Sequence, residues 1–252
     1  MTPSLGGKRI VLTRSASAGA DWETYLRRCG AIVYRFPTIE TLPAPLTPKL
    51  RHALTHLSDF GWIIFTSAAG PFLAKEFMKL LRLKVPVRRM PPIAVIGEKT
   101  AEAVREIGYR VRFTPSRSDG RTFARELAPL RSPILLLRAD IASPELPRAL
   151  RARGARVVDL PVYRTKILRR PDPRFSKLLM SGAVDYLTFA SPSAVQGFSA
   201  RVKGSAVKAA RKIPAIALGP RIALTLRHAG FRNVRVAREA TIEGLMDAIL
   251  SG

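Results

Sequence analysis

The sequence predicts an α/β protein of two similar lobes, each a parallel sheet flanked by helices. Three observations carry that expectation. Short apolar runs of four to six residues, rich in β-branched side chains, alternate with segments of helical period. The helical segments close on glycine, as at Leu26-x-x-x-Gly30 and Val104-x-x-x-Gly108. The whole alternation is also written twice. Leu26 to Thr41 (LRRCGAIVYRFPTIET) recurs as Leu150 to Thr165 (LRARGARVVDLPVYRT), an offset of 124 residues. Ile10 to Arg14 matches Ile134 to Arg138, and Gly61 to Gly70 matches Asp185 to Ala194, at the same offset. Ile93 to Val111 matches the stretch Ala215 to Val234, with Gly97 against Gly219 at an offset of 122, two residues having been lost in a loop.

The elements follow in order. Strands are expected at Arg9 to Thr13, Ala31 to Phe36, Trp62 to Thr66, Ile93 to Ile96 and Arg110 to Phe113. The second copy places them at Ile134 to Leu137, Arg156 to Leu160, Tyr186 to Phe189, Ala215 to Leu218 and Val234 to Ala237. Helices fill the intervals, among them Asp21 to Cys29, Glu98 to Ile107 and Ile242 to Leu250. Strand and helix in strict alternation imply parallel sheets covered on both faces.

Composition narrows the class. A chain of 252 residues with 47% apolar and 7% aromatic side chains can bury a substantial core. No stretch approaches the roughly 18 uninterrupted apolar residues of a membrane span. The opening MTPSLGGKRI has no apolar region of the secretory kind, so a cytoplasmic protein is expected. The single cysteine, Cys29, excludes an internal disulfide and a thiolate zinc site; late in a helix, it reads as a small buried hydrophobe. The formal charge of +25 calls for an anionic partner. Its cations are scattered singly and in pairs such as Arg88-Arg89 and Arg211-Lys212, with no long basic run and no interleaved aromatics. A small anionic molecule is therefore the expected partner and nucleic acid is not, although an arginine excess on solvated helix faces accounts equally well for much of the charge.

In an open parallel sheet, ligands meet loop N–H groups and helix N-termini where strands end. Those positions here are Thr13 and Arg14, Thr66 and Ser67, Gly97 to Thr100, Arg138, Ala190 to Ser193, and Gly219 to Arg221. Taken singly, Ser67, Thr100 and Ser191 read equally as helix caps. Familiar cofactor signatures fail: GGKR near Gly6 precedes its strand, GEKT at Gly97 lacks the upstream glycine of a phosphate loop, and no G-x-G-x-x-G follows a strand. Ser67 and Ser191 lack a nucleophile elbow, and none of His52, His56 and His228 is placed as their base. His52 and His56 share a helix face without a third ligand, so no metal site is expected. Asp140 is the main carboxylate at the strand ends.

The order of these pieces resembles the uroporphyrinogen-III synthase family. The resemblance rests on Thr13-Arg14, then Gly30-Ala31-x-Val33-x-x-x-Pro37, WIIFTSA (62–68), IAVIGEKTA (93–101), VYRT (162–165), LTFASPSAV (187–195) and IALGPR (216–221), and it runs from Lys8 to about Leu250. It implies two lobes joined by extended linkers at Tyr34 to Thr41 and Leu160 to Lys166, with a cleft between them. Residues 1–36 and 165–252 would form one lobe and 37–164 the other, whereas the repeat alone would cut the chain near residue 125. The implied reaction closes the linear tetrapyrrole hydroxymethylbilane to uroporphyrinogen III, inverting the last ring and losing water, with no cofactor. Its many carboxylates suit a basic site, and a monomer is expected. By resemblance Tyr163 assists loss of the hydroxyl, while Ser67, Thr100 and Ser191 bind substrate carboxylates. Thr13, Arg14, Arg138, Gly219 and Arg221 join them as strand-end contacts. One position departs from the pattern: Ile222 stands where the second G-P-x-T-A motif carries threonine. That leaves open a non-catalytic or regulatory tetrapyrrole-binding relative, and the net charge alone suggests a nucleic-acid-binding protein as a third reading.

Overall fold

The computed structural model describes residues 4–128, 130 and 132–251. In chain order the elements are β1 (Arg9–Leu12), α1 (Ala16–Arg28), β2 (Ile32–Arg35), β3 (Ile39–Pro43), α2 (Pro48–Thr55), β4 (Trp62–Phe65), α3 (Ala69–Leu80), β5 (Ile93–Val95), α4 (Glu98–Glu106), β6 (Val111–Phe113) and α5 (Gly120–Glu126). They continue with β7 (Ile134–Ala139), α6 (Glu145–Ala152), β8 (Val157–Ile167), α7 (Pro173–Met180), β9 (Tyr186–Phe189), α8 (Pro192–Arg201), α9 (Ser205–Ala210), β10 (Ala215–Ala217), α10 (Pro220–His228), β11 (Val234–Val236) and α11 (Ile242–Leu250). The chain divides into two compact units, Met1–Thr41 with Lys166–Gly252 (unit 1) and Leu42–Thr165 (unit 2).

Each unit is built on one sheet, ordered β11-β10-β9-β1-β2 in unit 1 and β3-β8-β7-β4-β5-β6 in unit 2. The repeat explains this order. β1 and β2 belong to the first copy and β9 to β11 to the second, whereas unit 2 combines β4 to β6 of the first copy with β7 and β8 of the second. Each sheet is thus a hybrid, and the registers of its central strands agree residue for residue. Ile10 faces Tyr186 across β1 and β9, and its counterpart Ile134 faces Trp62 across β7 and β4. Likewise Ile10 pairs with Val33 and Ile134 with Val157.

Alternation along the central strands of unit 2 fills two cores. Ile63, Phe65, Leu135 and Leu137 enter one, while Trp62, Ile64, Ile134 and Leu136 enter the other. Successive side chains of a strand point to opposite faces, so strands apolar at every position require cover on both. Burying each of these aliphatic side chains contributes about 1.5–3 kcal/mol before entropy is counted. Unit 1 has one continuous cluster, including Phe36 stacked on Phe175 with ring centroids 3.6 Å apart.

Local chemistry sets the ends. Thr47, Asp119, Asp172, Ser191 and Thr241 each cap a helix by accepting a backbone N–H three residues on. Gly30 and its counterpart Gly154 adopt φ of 84° and 82°, the left-handed turn that ends a helix cheaply only with glycine. Two expectations need adjustment. The first helix starts at Ala16 rather than Asp21 and leaves Cys29, 4% exposed, as its C-cap. The segments read as linkers lie largely within strands: Leu160 to Lys166 belongs to β8, and Ile39 to Thr41 opens β3 beside it. Extended backbone leaves its polar groups needing partners, and these segments supply them in Ala44 N to Val162 O at 3.1 Å and Leu168 N to Thr38 O at 3.0 Å. Among the described residues no helix is long and apolar enough to cross a membrane.

Candidate active site

In unit 2, β4 ends at Phe65 and Ser67 follows in the turn before α3. Ser67 does not cap that helix, because Ala68 occupies the N-cap position without a side-chain hydrogen bond. Its Oγ instead lies 2.7 Å from the Tyr163 Oη, where either hydroxyl can donate. Tyr163 sits on β8 beyond a register shift against β7 between Arg138 and Ala139, and such irregularities re-aim side chains. Asp140 fixes the main chain around it. The Asp140 N–H donates to the Tyr163 carbonyl at 3.0 Å, and Asp140 Oδ1 accepts from Ile141 N at 2.9 Å and Thr165 N at 3.1 Å. Burial pushes the Tyr163 phenol above its ordinary value, the Ser67 bond opposes that, and the charge of Asp140 adds to it. The phenol therefore stays protonated at neutral pH and is a hydrogen-bond donor. At the end of the neighbouring β5, Thr100 lies in the first turn of α4 and is 6% exposed. Its hydroxyl has no hydrogen-bond partner among the described residues. Gly97, with extended backbone, caps α4 with no side chain, which leaves the helix N-terminus open.

The strand ends of unit 1 carry different chemistry. Arg14 follows β1; its guanidinium lies 4.3 Å over the Trp22 ring, and its Nε donates to Ala18 O at 3.0 Å. Burial lowers its pKa, and nearby Asp21 partly offsets that. It makes no ion pair with a carboxylate among the described residues, so a largely buried cation retains donors for an anion. Ser191 caps α8, accepting from Ala194 N at 3.1 Å, and shares a 2.9 Å contact with Ser193 Oγ. The capping role therefore holds at Ser191 and fails at Ser67. Gly219 opens α10 with extended backbone and no side-chain cap. Arg221 is exposed, and its side chain has no partner among the described residues. Ile222, 7% exposed, belongs to the hydrophobic core. Adjacent helix residues are about 100° apart around the axis, so Arg221 cannot take over the inward position.

Two expected contacts are corrected. Arg138 is 7% exposed and all three of its guanidinium nitrogens donate within unit 2, Nε and Nη2 to Asp159 at 2.8 and 2.6 Å and Nη1 to the Ser143 carbonyl at 2.5 Å. Its charge is matched by Asp159 within unit 2, which makes it a structural cation first. Thr13 is fully buried and its hydroxyl donates to Thr188 O at 2.6 Å, so it ties β1 to β9 instead of facing a ligand. His52 and His56 stack with ring centroids 4.2 Å apart, and His56 Nδ1 lies 2.9 Å from the His52 carbonyl oxygen. Among the described residues no group of three or more His, Cys, Asp or Glu side chains could hold a metal ion. Sequence reasoning missed Trp22 beneath Arg14 and Asp159 beside Arg138, since neither follows a spacing rule.

The family model for uroporphyrinogen-III synthase HemD matches residues 20–247. The porphyrin biosynthesis protein HemD of Ruminiclostridium josui is 30% identical over 253 residues, which is 99% of this chain but 49% of that longer protein. The uroporphyrinogen-III synthase of Synechococcus elongatus is 27% identical over 261 residues, covering 96% of this chain and 94% of that one. Among solved structures, a mutant uroporphyrinogen III synthase from the extremely thermophilic bacterium Thermus thermophilus covers 98% of this chain and 100% of its own, with a TM-score of 0.63 at 21% identity. The uroporphyrinogen-III synthetase of Helicobacter pylori gives the same TM-score of 0.63 at 17% identity, and at these identities the likeness is one of fold. The strand-end hydroxyls of unit 2, the hybrid sheets and these relatives agree: the chain belongs to the uroporphyrinogen-III synthase family.

Proposed function

We propose that this protein is a uroporphyrinogen-III synthase, closing hydroxymethylbilane to uroporphyrinogen III with inversion of the last ring and loss of water. It acts without a metal or organic cofactor, as a monomer in the cytoplasm. The observation that carries the reading is the part-buried Ser67–Tyr163 hydroxyl pair at the strand ends of unit 2. The reaction needs a donor to the departing hydroxyl, which leaves as water, and then a constrained chain whose terminal ring is attacked at its substituted carbon. A protonated phenol held by Ser67 suits the first task. Tyr163 contributes a hydrogen bond and is not an indispensable acid, because its pKa is raised above that of an already weak acid. Thr100, Ser67, Ser191, Arg14, Arg221 and the open helix start at Gly219 bind substrate carboxylates, favoured by the positive end of each helix dipole and the net charge.

Purified protein given hydroxymethylbilane is expected to yield the type III isomer, separated chromatographically from type I. Formation of type I alone would overturn the reading. Tyr163→Phe should slow turnover by roughly severalfold to a hundredfold while the thermal transition stays in place. A rate equal to the parent's would remove Tyr163 from the chemistry. A second reading, a binding protein without turnover, is favoured by one residue, Ile222. Retained tetrapyrrole binding with no acceleration of closure would select it.

A further inference from the structure

An arginine cluster of unit 2 lies away from its strand-end hydroxyls. Where β5 and β6 begin, at the opposite end of the parallel sheet from Ser67 and Thr100, is a hollow of about 420 Å³. Its lining includes Arg88, Arg110 and Arg112 beside Met90, Pro92 and Tyr109. None of the three guanidinium groups has a hydrogen-bond or carboxylate partner among the described residues. Several other arginines of the unit are ion-paired, among them Arg105 with Glu98 at 2.6 Å, Arg121 with Glu145 at 2.7 Å and Arg138 with Asp159 at 2.6 Å. The Tyr109 ring is held in place, its hydroxyl donating to Val85 O at 3.0 Å.

The backbone is also irregular here. Ile93 faces Val111 and Ala94 faces Phe113, so Arg112 is the extra residue of a bulge in the edge strand β6. In unit 1 the equivalent strands pair one to one, Ala215 to Ala217 with Val234 to Val236. At an offset of 122, Val234 replaces Arg112 and Phe231 replaces Tyr109. The bulge and its cation therefore belong to one half of the repeat. Bulges at sheet edges commonly re-aim a side chain. Three like charges around one hollow repel each other, which an anion would relieve.

We propose that this hollow is an anion-binding site for a small molecule bearing phosphate or clustered carboxylate groups on a body that packs against Tyr109 and Pro92. Its volume falls in the range of about 300–1,000 Å³ typical of small-ligand sites, and arginine forks suit both kinds of oxyanion. The strand length alone, roughly 10 Å, separates it from the hydroxyl site.

Titration calorimetry of the whole protein at physiological salt, with inorganic tripolyphosphate and with mellitate, separates a phosphate from a carboxylate ligand. At least one probe should bind one to one. The Arg88→Gln, Arg110→Gln, Arg112→Gln variant should weaken that binding about tenfold or more. A control that loses the same charge at exposed Arg148, Arg156 and Arg227 should keep it. If the cluster variant lacks a normal thermal transition, Arg112→Gln alone should still weaken binding severalfold. The proposal is overturned if neither probe binds the parent protein or if both triple variants lose affinity equally. It is also overturned if single-stranded RNA binds more tightly in proportion to its length and displaces the probes, because the partner is then a macromolecular polyanion. Turnover is not part of the readout, so the result stands apart from the synthase reading.

Discussion

The two units share the registers of their central strands and part at the residues that end those strands. Arg14 and Arg138 are repeat counterparts, yet Arg138 is locked to Asp159 while Arg14 lies over Trp22 without a carboxylate partner. The difference traces to one neighbour. The counterpart of Asp159 on β2 is Arg35, which cannot pair with Arg14 and reaches Glu23 at 3.5 Å. Ser67 and Ser191 are also counterparts, but Ser67 meets Tyr163 while Ser191 caps its helix, because the counterpart of Tyr163 is Ile39. Thr100 corresponds to Ile222. Unit 1 thus keeps a spare cation and unit 2 keeps spare hydroxyls. The repeat keeps one scaffold, and single differences beside each strand end leave a cation at one and hydroxyls at the other.

The largest expected effect comes from breaking the pair that makes Arg138 structural. Asp159→Ala leaves a nearly buried guanidinium uncompensated and should cost about 3 kcal/mol in urea denaturation. A loss below about 1 kcal/mol would erase the contrast between the two arginines. Next is Arg14→Gln, which should raise KM for hydroxymethylbilane about tenfold without moving the thermal midpoint. An unchanged KM would mean that the spare cation serves no substrate. The smallest effect is expected at Ile222→Thr, which places a hydroxyl in an apolar pocket. It should lower stability by about 1 kcal/mol and leave kcat unchanged, while any gain in substrate affinity stays below the loss seen at Arg14. A gain larger than that loss would show that the missing hydroxyl, not the cation, limits binding in unit 1.

Much of the fold was legible because strand formation here depends on short-range pattern. The apolar run Tyr186 to Phe189 coincides with β9, and most other strand ends lie within a residue or two of the pattern that marks them. β3 was not legible: Ile39–Pro43 carries Glu40 and Pro43, has no apolar run, and is a strand only because β8 lies beside it. The site followed the same division. Strand-end positions could be named from the pattern, but Ser67 and Tyr163 are 96 residues apart. Whether Arg138 is spare or spent depends on a register that sets β8 beside β7. Thr13 looked available at the end of its strand, and only the carbonyl of Thr188, 175 residues away, removes it. Alternation announces which positions leave a strand, whereas long-range partners decide which of them remain chemically available.

The hybrid sheets have a consequence for the order in which this protein can be made. Translation runs from one end, so β1 and β2 emerge first, yet their sheet continues through β9, whose Leu187 and Thr188 face Val11 and Leu12. The strands that complete unit 2 are synthesised in between. For that interval the leading residues, through β2, carry an open strand edge and half a core, so they must wait while a contiguous middle assembles. Neither half of the chain corresponds to one unit, and a ribosome stalled just after β8 has emerged would hold one finished sheet and one orphaned pair of strands.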